Sequence, residues 1–205
     1  MDEIDEHRLP PIARRYDRVS MSLHWLTLAL LILLFGSIWS REQASDATTA
    51  ALLLALHQSA GALIWLVTMA RLIWKASAAA GPPLPSSMPR VQRWAARANE
   101  YALFLLLIAQ PVTGFVQTVA RGAPFPLLTL EIPAMMARDR ALAHLFHDIH
   151  ETSATVLLVL VGLHAGAAIF HGVFRRDGVL GSMLPAGLLP PGRPAPISTD
   201  QRRQS

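Results

Sequence analysis

The chain has 205 residues, of which 52% are hydrophobic and 16% charged, against a charged share of about 25% in soluble domains. It contains no cysteine, which excludes disulfides and thiolate metal sites. The net charge of +4 comes from basic residues that flank apolar segments instead of forming one stripe, which favours a membrane topology and argues against nucleic acid as a partner.

Four segments reach the roughly 20 apolar residues needed to cross a bilayer. The first runs from about Ser20 to Ser40. It follows Arg14, Arg15 and Arg18, and its apolar stretch Leu23 to Trp39 is long for the core of a secretory signal, so it reads as a retained helix. The second covers about Ala50 to Trp74 and the third about Asn99 to Val119. Pro111 and Gly114 in the third predict a kink. The fourth runs from about His144 to Phe174, too long to be wholly immersed, so its first turns should project into water. The expected fold is an all-α, integral membrane four-helix bundle.

Lysine and arginine set the expected orientation. The N-terminus, the surroundings of the second loop and the C-terminus hold 14 of the 18, and the first and third loops hold Arg41, Arg121, Arg138 and Arg140. That asymmetry places both termini and the second loop in the cytoplasm. Residues 1–19 read as a cytoplasmic tail, 20–182 as the membrane domain and 183–205, rich in proline and glycine, as a disordered tail.

Four histidines fall inside the apolar segments: His24, His57, His150 and His164. A polar ring in hydrocarbon is costly unless its nitrogens are satisfied, so each is a candidate functional residue. The topology puts His24 and His164 near the cytoplasmic side, and His57 and His150 near the opposite side. On the fourth helix, His150 and His164 are separated by about 21 Å of rise and about 40° of azimuth, so both face one way. His147 lies about 100° from His164 and His144 about 160°, which makes His150 the preferred outer residue and His147 its alternative. Any one of the four could simply bond a backbone carbonyl between helices; that all four do so while pairing by depth is the weaker explanation.

Haem b fits two imidazoles from different helices at each depth, with room supplied by the small residues around His57–Gly61 and Gly162–Gly166. Without a C-x-x-C-H motif it must be held non-covalently. Two axial imidazoles leave the iron no open position, so such a centre moves electrons and does not bind oxygen. Zinc would more often take four ligands, commonly with cysteine or carboxylate.

The stretches Arg15–Ser20, Leu23–His24–Trp25, Leu56–Gly61, Ala70–Arg71–Leu72, Arg121–Gly122, His150–Glu151–Thr152, Gly162–Ala165 and Asp177–Leu180 resemble the bacterial cytochrome b561 family over about residues 15 to 182. The resemblance implies two haem b groups with axial pairs His24/His164 and His57/His150. It further implies electron transfer to ubiquinone, with superoxide as one family donor.

Around the inner pair, His171, Arg71 and Arg18 are candidates for contacts to a quinone or a haem propionate; headgroup solvation or snorkelling is the alternative for each. The third loop carries Arg121, Arg138 and Arg140 against Glu131 and Asp139, a net positive mouth suited to a small anion, or simply a solvated loop. Asp148 and Glu151 flank His150 and are candidates to hold it by a second bond. His7, His144 and His147 read as surface residues. The expected partners are membrane lipid, a quinone and a small anionic or protein electron donor at the periplasmic face. The rival readings are a cytochrome b subunit serving a periplasmic dehydrogenase or hydrogenase, and a haem-free structural bundle.

Overall fold

The computed structural model describes residues 15–77, 81–82, 84, 88–127, 130–175 and 178–184. Four long helices dominate: α1 (Arg18–Glu42), α2 (Ala47–Ser77), α3 (Arg90–Ala120) and α4 (Arg140–Phe170). All four are long and apolar enough to cross a membrane. Most of the disordered tail expected at 183–205, and most of the N-terminal tail, lie outside the described residues.

The helix starts follow from local chemistry. Asp17 caps α1, its carboxylate accepting from the Ser20 amide at 3.0 Å. Asp46 accepts from the Thr49 amide at 2.8 Å at the start of α2, and Asp139 from the Leu142 amide at 3.0 Å at the start of α4. Each satisfies one of the backbone donors that a helix leaves unpaired at its first turn. Within the helices, Thr27, Thr68 and Thr118 return their hydroxyls to carbonyls four residues earlier, which hides these polar groups from lipid.

Two elements differ from the hydropathy reading. Helix α3 begins nine residues before the apolar span, because Arg90–Ala98 is rich in good helix formers but too polar to register as membrane. It stays helical through Pro111. The third loop contains a short antiparallel hairpin, β1 (Phe125–Leu127) and β2 (Leu130–Ile132), whose three-residue strands are too brief to show a period.

Packing joins the helices in two antiparallel hairpins, α1 with α2 and α3 with α4, and α2 also touches α3. Helix α4 approaches neither α1 nor α2 closely along its backbone. The buried core is thin: Leu30, Ile64, Val67, Leu107 and Leu157 meet at its centre. Leucines, isoleucines and tryptophans cover the outside, the inverse of a soluble bundle and what a lipid solvent requires.

The first and last described segments meet. After α4, a π-helical turn (His171–Arg175) and a 3-10 turn (Leu180–Met183) bring the chain back to the start of α1. There the Tyr16 amide donates to Ser182 O at 3.1 Å, and Trp25 Nε1 to Met183 O at 2.9 Å. Trp74 Nε1 donates to Asp17 at 3.1 Å, and Lys75 pairs with Glu100. We call this the termini end and the other the far end.

At the far end Gly122 closes α3 in the left-handed region, φ 66°, with its amide on Val119 O. A Cβ there would lie 2.5 Å from the Arg138 backbone nitrogen. Gly122→Ala should therefore destabilise the protein by about 1–3 kcal/mol, a fall of several degrees in thermal midpoint by scanning fluorimetry. At the termini end, hydrogen bonds from the Ser20 hydroxyl and amide, with help from Trp74, hold the Asp17 carboxyl below its usual value. A depressed carboxylate contributes stability above its unfolded pKa and loses it as pH falls through the lower folded value. The thermal gap between wild type and Asp17→Asn should stay constant from neutral pH down to about pH 4 and close below it.

Candidate functional site

His24, His57, His150 and His164 each face a partner from the other hairpin. The His24 and His164 ring centres are 6.1 Å apart at 51°, and those of His57 and His150 are 6.3 Å apart at 81°. Two imidazole nitrogens each about 2.0 Å from one metal put ring centres about 6.3 Å apart, so both spacings suit a single ion between two rings. The pairs are those expected from depth along the helices. His147, the alternative outer residue, is turned away; it meets Gln117 Nε2 at 3.1 Å and Glu151 at 3.6 Å.

The far-end pair has its proton positions set by the backbone. His57 Nδ1 lies 3.0 Å from Leu34 O, and a carbonyl can only accept, so Nδ1 carries the hydrogen. His150 Nδ1 lies 3.1 Å from both Gln110 O and Thr113 Oγ1. The Thr113 hydroxyl donates to Gln110 O, leaving its oxygen free to accept from the ring. In both rings Nε2 is left with its lone pair, the state a metal needs. Gln110 then fastens α3 to α4, donating to His150 O at 3.1 Å and Ser153 Oγ at 3.0 Å.

The partners expected for His150 from its own helix do not fill that role. Glu151 lies 3.6 Å from His147, and Glu151 and Asp148 are both exposed. Residues 148 and 151 are turned well away from residue 150 on a helix, whereas α3 packs directly against it. Gln110 and Thr113 flank Pro111, and their polarity inside a span was the available signal.

At the termini end the arrangement is electrostatic. Arg71 is half-buried and points inward; Nη1 donates to Thr27 Oγ1 at 3.2 Å, and Nη2 lies 3.4 Å from His24 Nδ1. Its guanidinium also sits 5.1 Å from the Phe104 ring centre. A guanidinium has no lone pair to offer, so it can bond Nδ1 only while the His24 proton is on Nε2. A metal held through Nε2 would require the opposite tautomer and so would release Arg71 from the ring. The other two candidates at this end differ. His171 opens the π-helical turn, half-buried and edge-on to Phe170 at 5.9 Å, while Arg18 is exposed at the first position of α1.

A Cβ at Gly61, one turn from His57 on the same face of α2, would meet nothing within 4 Å, so open space adjoins that ring. Among the described residues no group of three or more histidine or acidic side chains could hold a metal ion. Two facing rings without further protein ligands suit a group that brings its own equatorial ligands, and they do not suit a bare ion.

Comparison with known proteins identifies relatives of the chain. The family model described as prokaryotic cytochrome b561 matches residues 15–186. Two Escherichia coli (strain K12) proteins are similar along nearly their whole length. Cytochrome b561 homolog 1 is 27% identical over 83% of this chain and 97% of its own. Cytochrome b561 homolog 2 is 30% identical over 83% and 91%. A Yersinia pestis protein named probable superoxide oxidase CybB is 27% identical over 84% of this chain and 97% of its own.

Proposed function

Because the chain belongs to the prokaryotic cytochrome b561 family, whose members are haem b membrane proteins, we propose that it carries electrons across a bacterial inner membrane through two haems. One would be held by His24 and His164, the other by His57 and His150. The observation that carries this reading is the pair of ring spacings, 6.1 and 6.3 Å, each joining one histidine from either helix hairpin. When bound, haem b supplies a one-electron iron couple with both axial positions filled.

The chain's own residues would do the rest. Leu34 O, Gln110 O and Thr113 Oγ1 hold the far-end rings in the ligating tautomer and fix their planes. Arg71 neutralises a propionate at the termini end, with Phe104 supporting its guanidinium. Fourteen of the 18 basic residues lie on the termini and second-loop side, which supports a cytoplasmic position for that end.

Superoxide is our preferred donor and ubiquinone our preferred acceptor. Two superoxide anions would leave as dioxygen, and their two electrons with two protons would convert one ubiquinone to ubiquinol. The Yersinia relative's name supports the donor. The arginines of the first and third loops, Arg41, Arg121, Arg138 and Arg140, supply a field that draws a small anion. Ubiquinone would bind near the termini-end site, with His171 as the candidate proton donor, since π-helical turns often mark functional positions.

Purified protein should show two low-spin b haems per chain by reduced-minus-oxidised spectroscopy and pyridine haemochrome. His57→Ala and His150→Ala should each remove the same haem, and His24→Ala and His164→Ala the other; any other grouping rejects the pairing. Superoxide-dependent ubiquinone reduction by the pure protein tests the donor. Two intact haems without that activity would favour a cytochrome b subunit that draws on a periplasmic enzyme.

Arg71→Gln should retain both haems but lower one midpoint potential. A nearby cation favours the added electron, and its removal about 8 Å away amounts to roughly 2 kcal/mol before screening, or on the order of 50 mV after it. Potentiometric titration should show one wave moved to lower potential and the other in place.

A further inference from the structure

The start of α3 has a charge arrangement that neither histidine pair uses. Arg90, Arg93 and Arg97, with Trp94, line an open groove. At 100° per residue these four fall within an arc of about 100°, so they form one stripe along the helix. Among the described residues none of the three arginine side chains has a hydrogen bond or an ion pair. No aspartate or glutamate occurs between Asp46 and Glu100, and Glu100 is engaged by Lys75.

The stripe does not end where the charge ends. Tyr101 and Leu105 continue it at about 20° and 60° from Arg90, within an arc of about 120° for all six residues. Trp94 is 73% exposed, Tyr101 67% and Leu105 66%. Helix α3 has 31 residues, about 46 Å of rise against about 30 Å of hydrocarbon, so its polar first turns must stand in the headgroup layer. One helix face thus passes from three guanidinium groups unpaired among the described residues, through two interfacial aromatics, to an aliphatic surface suited to lipid.

We propose that this face is a binding site for an anionic phospholipid of the termini-end leaflet. The arginines hold the phosphate and Trp94 packs beside the glycerol region. An acyl chain lies along Tyr101 and Leu105. Guanidinium matches phosphate oxygens bidentately, and a lipid is favoured over free phosphate because only a lipid also uses the apolar half of the stripe.

The test uses the full-length haem protein in phosphatidylcholine vesicles, with a small fraction of lipid brominated near the headgroup end of its chains. Bromine quenches tryptophan at short range, and Trp94→Phe isolates the contribution of Trp94. Brominated phosphatidylglycerol should quench the Trp94 emission at least about twofold more than the same fraction of brominated phosphatidylcholine, given local enrichment by three cations. The excess should vanish in R90Q/R93Q/R97Q with haem content unchanged. If that variant loses haem, the single change Arg93→Gln and a rise in ionic strength serve instead, and both should reduce the wild-type excess. Equal quenching by the two lipids, or an excess that survives charge removal and salt, overturns the proposal. An excess abolished by millimolar inorganic phosphate at constant ionic strength overturns the lipid as ligand in favour of free phosphate.

Discussion

The structure turns on histidines that face one another between its two helix hairpins. Helices α1 and α2 form one hairpin and α3 and α4 the other, and Leu157 of α4 packs into the core with Leu30, Ile64 and Val67 of the first. On either side of that core His164 and His150 on α4 meet His24 on α1 and His57 on α2. Whatever binds between those rings ties the two hairpins together. With so thin a buried core, such a ligand contributes directly to the stability of the assembled bundle, because it binds only the folded chain.

The two sites are built differently for the same chemistry. At the far end, neutral acceptors fix the rings: a carbonyl of α1 for His57, and a carbonyl and hydroxyl of α3 for His150. Their cost of reorganisation on binding a metal is small, since the proton already sits on Nδ1. At the termini end, the half-buried Arg71 leans on His24, with Thr27 and Phe104 beside it. A metal held by His24 through Nε2 would require that contact to rearrange, whereas the far-end rings already present Nε2.

The outside of the protein answers to lipid as closely as the inside answers to the histidines. Apolar side chains cover the spans, and indole nitrogens at the termini end find acceptors in Asp17 and Met183 O. Those bonds lace the first and last described segments over the His24 and His164 region. Beside them the first turns of α3 extend the bundle into the headgroup layer with unpaired arginines. A membrane protein's boundary with lipid is thus a set of specific contacts as well as an apolar band.

The amino-acid sequence determined the all-α architecture, the four spans and the depth of each histidine. These depend on residue type and on the fixed rise of a helix, both of which are local. The choice of His150 over His147 was legible for the same reason, as an azimuth along one helix. What only the tertiary structure decided was everything carried by the backbone of a neighbouring helix. Leu34 O and Gln110 O hold His57 and His150, and a carbonyl's position has no signature in residue identity. Likewise Arg71 turns inward to His24 although its chemistry allowed it to reach for the headgroups, because Thr27 and Phe104 from two other helices receive it. The hairpin at 125–132 escaped notice because three residues per strand are too few to carry a period. Helix-local geometry can be read along a chain; the partner that completes each site depends on which helices pack side by side, and that is settled by the summed fit of many apolar contacts.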